Sequence, residues 1–223
     1  MDEKTIRRKS AGRRSARVSE ETRQEIVHAA LEVFAEVGFE GASLRDIAAR
    51  AGATHGLIRH YFGSKEGVWR AVVDTANAEY SSALEPLVAQ AVEREGQEVE
   101  AVNTVKAVLR EIILVSARYP ETVQLLMREG AKGGERLDYI LKRIAPQRIL
   151  MEPLLSEVKR QGFLRQFDQE QFFLFILTAG AMPFALAALT GQLYGVDFLS
   201  EEQAKLHADR VISTLFSEGV SSG

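Results

Sequence analysis

SLRDIAARAGATHGLIRHYFGSK, residues 43–65, reads as two short helices joined by a tight turn, with a third beginning at its end. Ser43 is an N-cap residue, and Asp46 three positions on can reach back to it as in a capping box. Leu44, Ile47 and Ala48 fall at i, i+3 and i+4 and give the first helix a buried side. Gly52 stands where that helix should stop, because glycine tolerates the left-handed conformation of a helix end. Thr54 caps the second helix, Ile58 and Phe62 anchor it, Gly63 ends it, and Ser64 caps a third that starts at Lys65. Two helices about a short glycine-containing turn make a helix-turn-helix, whose second helix can enter the major groove of DNA.

With Ile58 and Phe62 turned inward, the opposite side of the second helix shows His55, Gly56, Arg59 and His60. That face is polar, and Gly56 permits close approach to base edges. Arg59 can donate two hydrogen bonds to guanine O6 and N7. By spacing alone, the stretch also fits a helical hairpin inside a larger all-α domain.

The chain has 223 residues, 46% hydrophobic and 26% charged, which places it among globular proteins able to bury a sizeable core. It has no cysteine, which excludes a disulfide framework and thiol chemistry and fits a cytoplasmic location. Its net charge is −3, yet cations crowd one end: Lys4, Arg7, Arg8, Lys9, Arg13, Arg14 and Arg17. Residues 1–18 hold few apolar side chains and read as a disordered basic arm. No apolar core follows the basic start, as a signal peptide would require. The arm either follows the DNA backbone and minor groove or only solvates the terminus.

Downstream the chain reads as all helix. Helix one is expected from Ser19 or Thr22, with Glu25 completing a capping box, to Val37. A long helix from Lys65 bends around Pro86. Val102–Tyr119, Pro120–Glu129 and Glu135–Gln161 follow, the last with Pro146 and Pro153 inside it. Asp168 with Gln171, and Ser200 with Gln203, cap the final two helices. Phe172–Leu189 is nearly all apolar. Thr178, Gly180 and Pro183 interrupt it and no basic residues flank it, so it reads as a buried helix rather than a membrane span.

The run Thr22–Val72 resembles the DNA-binding domain of the TetR (tetracycline-repressor) family of bacterial transcription regulators. The features that carry the resemblance are AALEVFAEVGFEGAS with its Gly38-Phe39 turn, LRDIAARAGA, and HYFGSKEGVW with its aromatic cluster before Ser64-Lys65-Glu66. The resemblance implies that Arg45 reaches a base from the first motif helix and that His55, Gly56 and Arg59 face bases. His60 lies on the same face. Tyr61 and Lys65 match phosphate-contacting positions, and Ser43 and Thr54 match N-caps that also meet phosphates. Arg59 stands where the family more often has an aromatic residue. Leu57 replaces a small polar one, and contacts either a thymine methyl or Tyr61.

The resemblance further implies an all-α chain: a three-helix helix-turn-helix domain over residues 19–67, then a helical effector-binding and dimerisation domain over 68–223. Its last two helices would form a four-helix bundle in a homodimer. Candidate effector-pocket residues are Trp69, Met127, Tyr139, Met151, Met182 and Phe184, each of which also suits plain core. No phosphate loop, dinucleotide turn, nucleophile elbow or metal-ligand cluster is present, so no enzyme, cofactor or metal is expected. The expected function is a repressor released from a palindromic operator on double-stranded DNA by a small molecule. The alternative is a DNA-binding protein without effector control, architectural or constitutive.

Overall fold

A computed structural model describes residues 3–93 and 98–217, and among them all regular structure is helical. The chain divides into two compact units, Met1–Thr75 and Ala76–Gly223. The division falls further along the fourth helix than the boundary expected after residue 67.

The first unit contains α1 (Glu3–Gly41), α2 (Leu44–Arg50), α3 (His55–Phe62) and the start of α4 (Lys65–Glu93). Ile26, Phe34, Ile47, Ile58, Val68, Trp69 and Val72 are its fully buried large side chains. At Gly38, φ 74° and ψ 172° break α1, a conformation that side chains with a Cβ resist. The chain therefore turns after Val37, where the sequence predicts, and Phe39 comes back to stack on Phe34 with ring centroids 5.9 Å apart.

The start of α1 departs from expectation. Its backbone is helical from Glu3, so the stretch read as a disordered arm continues the helix. Thr22 does not cap it; its hydroxyl donates to the Val18 carbonyl at 3.0 Å. The physical reason lies in composition: Arg, Lys, Glu and Ala favour helix, and extending a formed helix avoids the cost of nucleation. The side chains of the arm, and with them its expected DNA contacts, lie outside the described residues.

The second unit comprises the rest of α4, α5 (Glu98–Arg118), α6 (Pro120–Lys132), α7 (Glu135–Arg160), α8 (Gln169–Phe175), a π-helical turn (Ile176–Ala181), α9 (Met182–Ala185), α10 (Ala187–Tyr194) and α11 (Glu201–Phe216). Its core joins Val105, Leu109 and Ile113 of α5 to Val158 of α7, Phe172, Phe184, and Ala208 and Leu215 of α11. Arg110 and Asp209 form an ion pair between α5 and α11. Ser116 donates to the Ile112 carbonyl at 2.7 Å. Tyr80 then donates to Ser116 at 2.9 Å, joining α4 to α5. Burial raises the Tyr80 phenol above its usual pKa, which keeps it a donor.

The apolar stretch Phe172–Leu189, expected as one helix, is instead broken. Gln169–Ala185 and Ala187–Tyr194 meet at 76°, and among the described residues no single helix is long and apolar enough to cross a membrane. Pro183 cannot donate a backbone bond, and Leu186 leaves the helical region at φ −105°, ψ 29°. Neighbouring elements satisfy carbonyls at the break. Gln124 of α6 donates to the Ala185 carbonyl at 2.9 Å. His207 of α11 reaches the carbonyls of Ala179 and Gly180 at 3.0 and 3.1 Å. Carbonyl oxygens only accept, so the proton of His207 is on Nε2. Burial lowers its pKa, against the opposing pull of those two carbonyls.

Candidate nucleic-acid interface

The helix-turn-helix is built from local signals. Ser43 Oγ accepts from Asp46 N at 3.2 Å, and Asp46 accepts from Ser43 N at 3.1 Å, completing the capping box of α2. Ser43 also gives its hydroxyl proton to the Asp46 carboxylate at 2.6 Å. Thr54 Oγ1 accepts from Leu57 N at 3.2 Å and starts α3. Gly63 closes α3 with φ 73°. Arg50, at the end of α2, bridges Glu32 and Glu36 of α1 at 3.0 and 2.8 Å, which ties α2 down. The same bonds raise the Arg50 pKa and lower that of Glu36.

Burial of Ile58 sets the rotation of α3. His55, Gly56, Arg59 and His60 are all exposed, as are Arg45 and Thr54. Ser43, Leu57, Tyr61 and Lys65 are half-buried. A Cβ added at Gly56 would meet only Thr54 Oγ1, at 4.0 Å, so no packing within the protein requires a glycine there. The side-chain-free spot opens on the exposed face of α3.

Two candidates have partners that spacing did not indicate. Tyr61 Oη lies 2.7 Å from Ser19 Oγ of α1, with the ring edge-on to His60. The Arg23 guanidinium lies over Phe62, 5.6 Å from the ring centre. Lys65 Nζ donates to the carbonyls of Phe39 and Ala42 at 2.7 and 2.9 Å. That is a different employment from the phosphate contact implied by resemblance.

Residues 26–72 match the family model of the bacterial regulatory proteins of the tetR family. The helix-turn-helix of this chain is thus of the TetR-family type. It is 36% identical over 83 residues to the HTH-type transcriptional repressor Rv3405c of Mycobacterium tuberculosis, covering 35% of this chain and 44% of that protein. The chain thus matches less than half the length of that relative. It is 26% identical over 153 residues to the HTH-type transcriptional repressor NicS of Pseudomonas putida, covering 67% of this chain and 69% of NicS. Solved TetR-like structures share the fold. The ketosteroid transcriptional regulator KstR2 of Mycobacterium tuberculosis superposes with a TM-score of 0.64 at 19% identity, covering 88% of this chain and 95% of that one. A mutant of the regulator HlyIIR, with residues 169–186 of its own chain replaced by a linker, gives 0.65 at 22%, covering 90% and 100%.

The six candidate pocket residues fall in different parts of the chain. Trp69 is fully buried in the first unit. Phe184 is core, edge-on to His207 with ring centroids 5.3 Å apart. Tyr139 accepts from Arg143 at 2.7 Å, one helical turn along α7. Met151 packs beside Leu84 and Val108 and also against the core that holds Phe184, and Met127 packs beside Val123 and Ala181. Met182 is half-buried at the start of α9. Met or aromatic side chains at helical spacing suit core and pocket alike, so spacing did not separate the two. An open groove of about 680 Å³ lies elsewhere, along α1 and the end of α2, with Glu21, Glu25 and Glu32 in its walls. Among the described residues no group of three His, Asp or Glu side chains is placed to hold a metal ion.

Proposed function

We propose that this chain is a transcription regulator that binds a palindromic DNA operator as a homodimer and is released by a small-molecule effector. The observation that carries the reading is the exposed face of α3, where His55, Gly56 and Arg59 stand together over a buried Ile58. In this reading Arg59 and His55 read base edges, Gly56 lets the backbone close in, and Arg45 reaches a base from α2. Leu57 and His60 flank them. The N-termini of α2 and α3, at Ser43 and Thr54, and the Tyr61 hydroxyl meet phosphates.

Dimerisation is supported by apolar side chains left uncovered near the chain's end. Leu174, Leu189, Leu193, Tyr194 and Leu206 are exposed, and α10 buries none of its side chains. An apolar surface of this kind suits a second copy of the chain. The same reading places the protein in the cytoplasm with the DNA.

A second reading, DNA binding without effector control, is favoured by one observation: Phe184, Met151 and Met127 pack among core side chains. A ligand that binds the chain tightly while operator affinity stays constant supports this second reading, because equal affinity for both states shifts nothing.

Arg59→Ala tests the interface. Operator binding should weaken by about 1–3 kcal/mol, with relaxed preference at one base step per half-site. An equal loss on every DNA sequence would make Arg59 a phosphate contact instead.

A further inference from the structure

The geometry assigns Lys65 a positioning role: its ammonium clasps the end of α1 to the start of α4 and so fixes where the recognition helix stands. This inference rests on the DNA-binding reading above. Lys65 is the first residue of α4, where the positive end of the helix dipole disfavours a cation. Its location therefore calls for compensating acceptors, and the chain supplies them. Nζ donates to the Phe39 and Ala42 carbonyls at 2.7 and 2.9 Å and lies 4.5 Å from the centre of the Phe39 ring.

Those carbonyls belong to the turn beyond Gly38 and to the residue that follows α1. The last carbonyls of a helix have no partner within it. A lysine from elsewhere in the chain can supply the missing donor. Phe39 is itself fixed by stacking on Phe34. The clasp thus closes a loop of chain from Ala42 to Lys65, and that loop contains all of α2 and α3. With two of three ammonium protons committed, Lys65 spends its charge on the frame that holds α3.

A positioning residue and a phosphate contact predict different losses. A phosphate contact contributes equally on any DNA, and its removal flattens the dependence of log K on log salt by about 0.9 per phosphate. A positioning residue contributes only where α3 must meet particular bases. The test uses the full chain as wild type, Lys65→Met and Lys65→Arg. Each is titrated with operator and with random-sequence DNA over a salt series, well below the melting temperature, with the active fraction counted by stoichiometric titration.

Lys65→Met should weaken operator binding roughly 10- to 100-fold. It should change random-sequence binding less than about threefold and leave the salt slope alone. Lys65→Arg, which keeps donors for the carbonyls, should recover most of the operator affinity. In the DNA-free wild type, the Lys65 ammonium should give a side-chain NMR signal protected from solvent exchange, little changed when operator is added. Equal losses on both DNAs with a flatter slope would overturn the assignment in favour of a phosphate contact. A fall in active fraction alone, with unchanged affinity in the remainder, would reduce Lys65 to a residue of fold stability. Wild type that binds no DNA selectively would instead defeat the DNA-binding reading. An unprotected ammonium signal would overturn the clasp even then.

Discussion

The helix-turn-helix and the broken helix near the chain's end both interrupt helical chain within a few residues, but they satisfy their backbone differently. Around α2 and α3 the partners are close in sequence: Ser43 with Asp46, Thr54 with Leu57, Gly63 with Arg59. Around the π-helical turn they come from afar: Gln124 for Ala185, and His207 for Ala179 and Gly180. The first kind of break is written into its own stretch. The second is held by side chains of α6 and α11, far along the chain.

The largest effect is expected from His207→Leu. If His207 holds the turn, losing its bonds should cost the second unit about 2 kcal/mol in a denaturant melt. The pH dependence should change with it. The folded pKa of His207 is lowered, so the unfolded chain takes up a proton first. The stability from neutral His207 is present above the unfolded value of about 6.5 and is lost as pH falls through that value towards the folded pKa. That part of the acid sensitivity should vanish in His207→Leu. An unchanged melt would mean that Pro183 and the local backbone set the break by themselves.

Thr54→Ala probes the local kind of break. Removing a threonine N-cap should cost about 1 kcal/mol, and the loss should show in the first unit. If the second unit melts earlier as well, the two regions are not independent in the way their bonding indicates.

Gly56→Ala gives the smallest expected effect on stability, and with the opposite sign. A Cβ there would meet only Thr54 Oγ1, at an ordinary 4.0 Å, so the helix should gain about 0.5–1 kcal/mol. Operator affinity should fall nonetheless, because the methyl group intrudes where bases approach. A variant that is both more stable and undiminished in operator binding would remove Gly56 from the interface.

The same contrast explains what was legible in the sequence. Ser43, Thr54, Gly63, Asp168 with Gln171, and Ser200 all act within three or four residues, and each bounds a helix where the sequence predicts. The turn at Gly38 was legible because its φ and ψ suit glycine almost alone. The bend at Leu186 was not, since no cap residue marks it and the donors that hold it are distant. The work of Lys65 was hidden for the same reason: its acceptors, Phe39 and Ala42, lie more than twenty residues back. The helical continuation of α1 to Glu3 went unread because charge density argued for disorder, while helix propensity argued the other way.

Operator footprinting with the full chain asks whether α3 reads DNA as one of a two-fold pair. The protected sequence should have (pseudo)two-fold symmetry, with half-site centres about 34–36 Å apart along the duplex or a multiple of that spacing. Arg59→Ala should need roughly 5- to 150-fold more protein for the same protection, as a loss of about 1–3 kcal/mol implies. Protection without symmetry, or a symmetric footprint that Arg59→Ala gives at the same protein concentration as wild type, would contradict it.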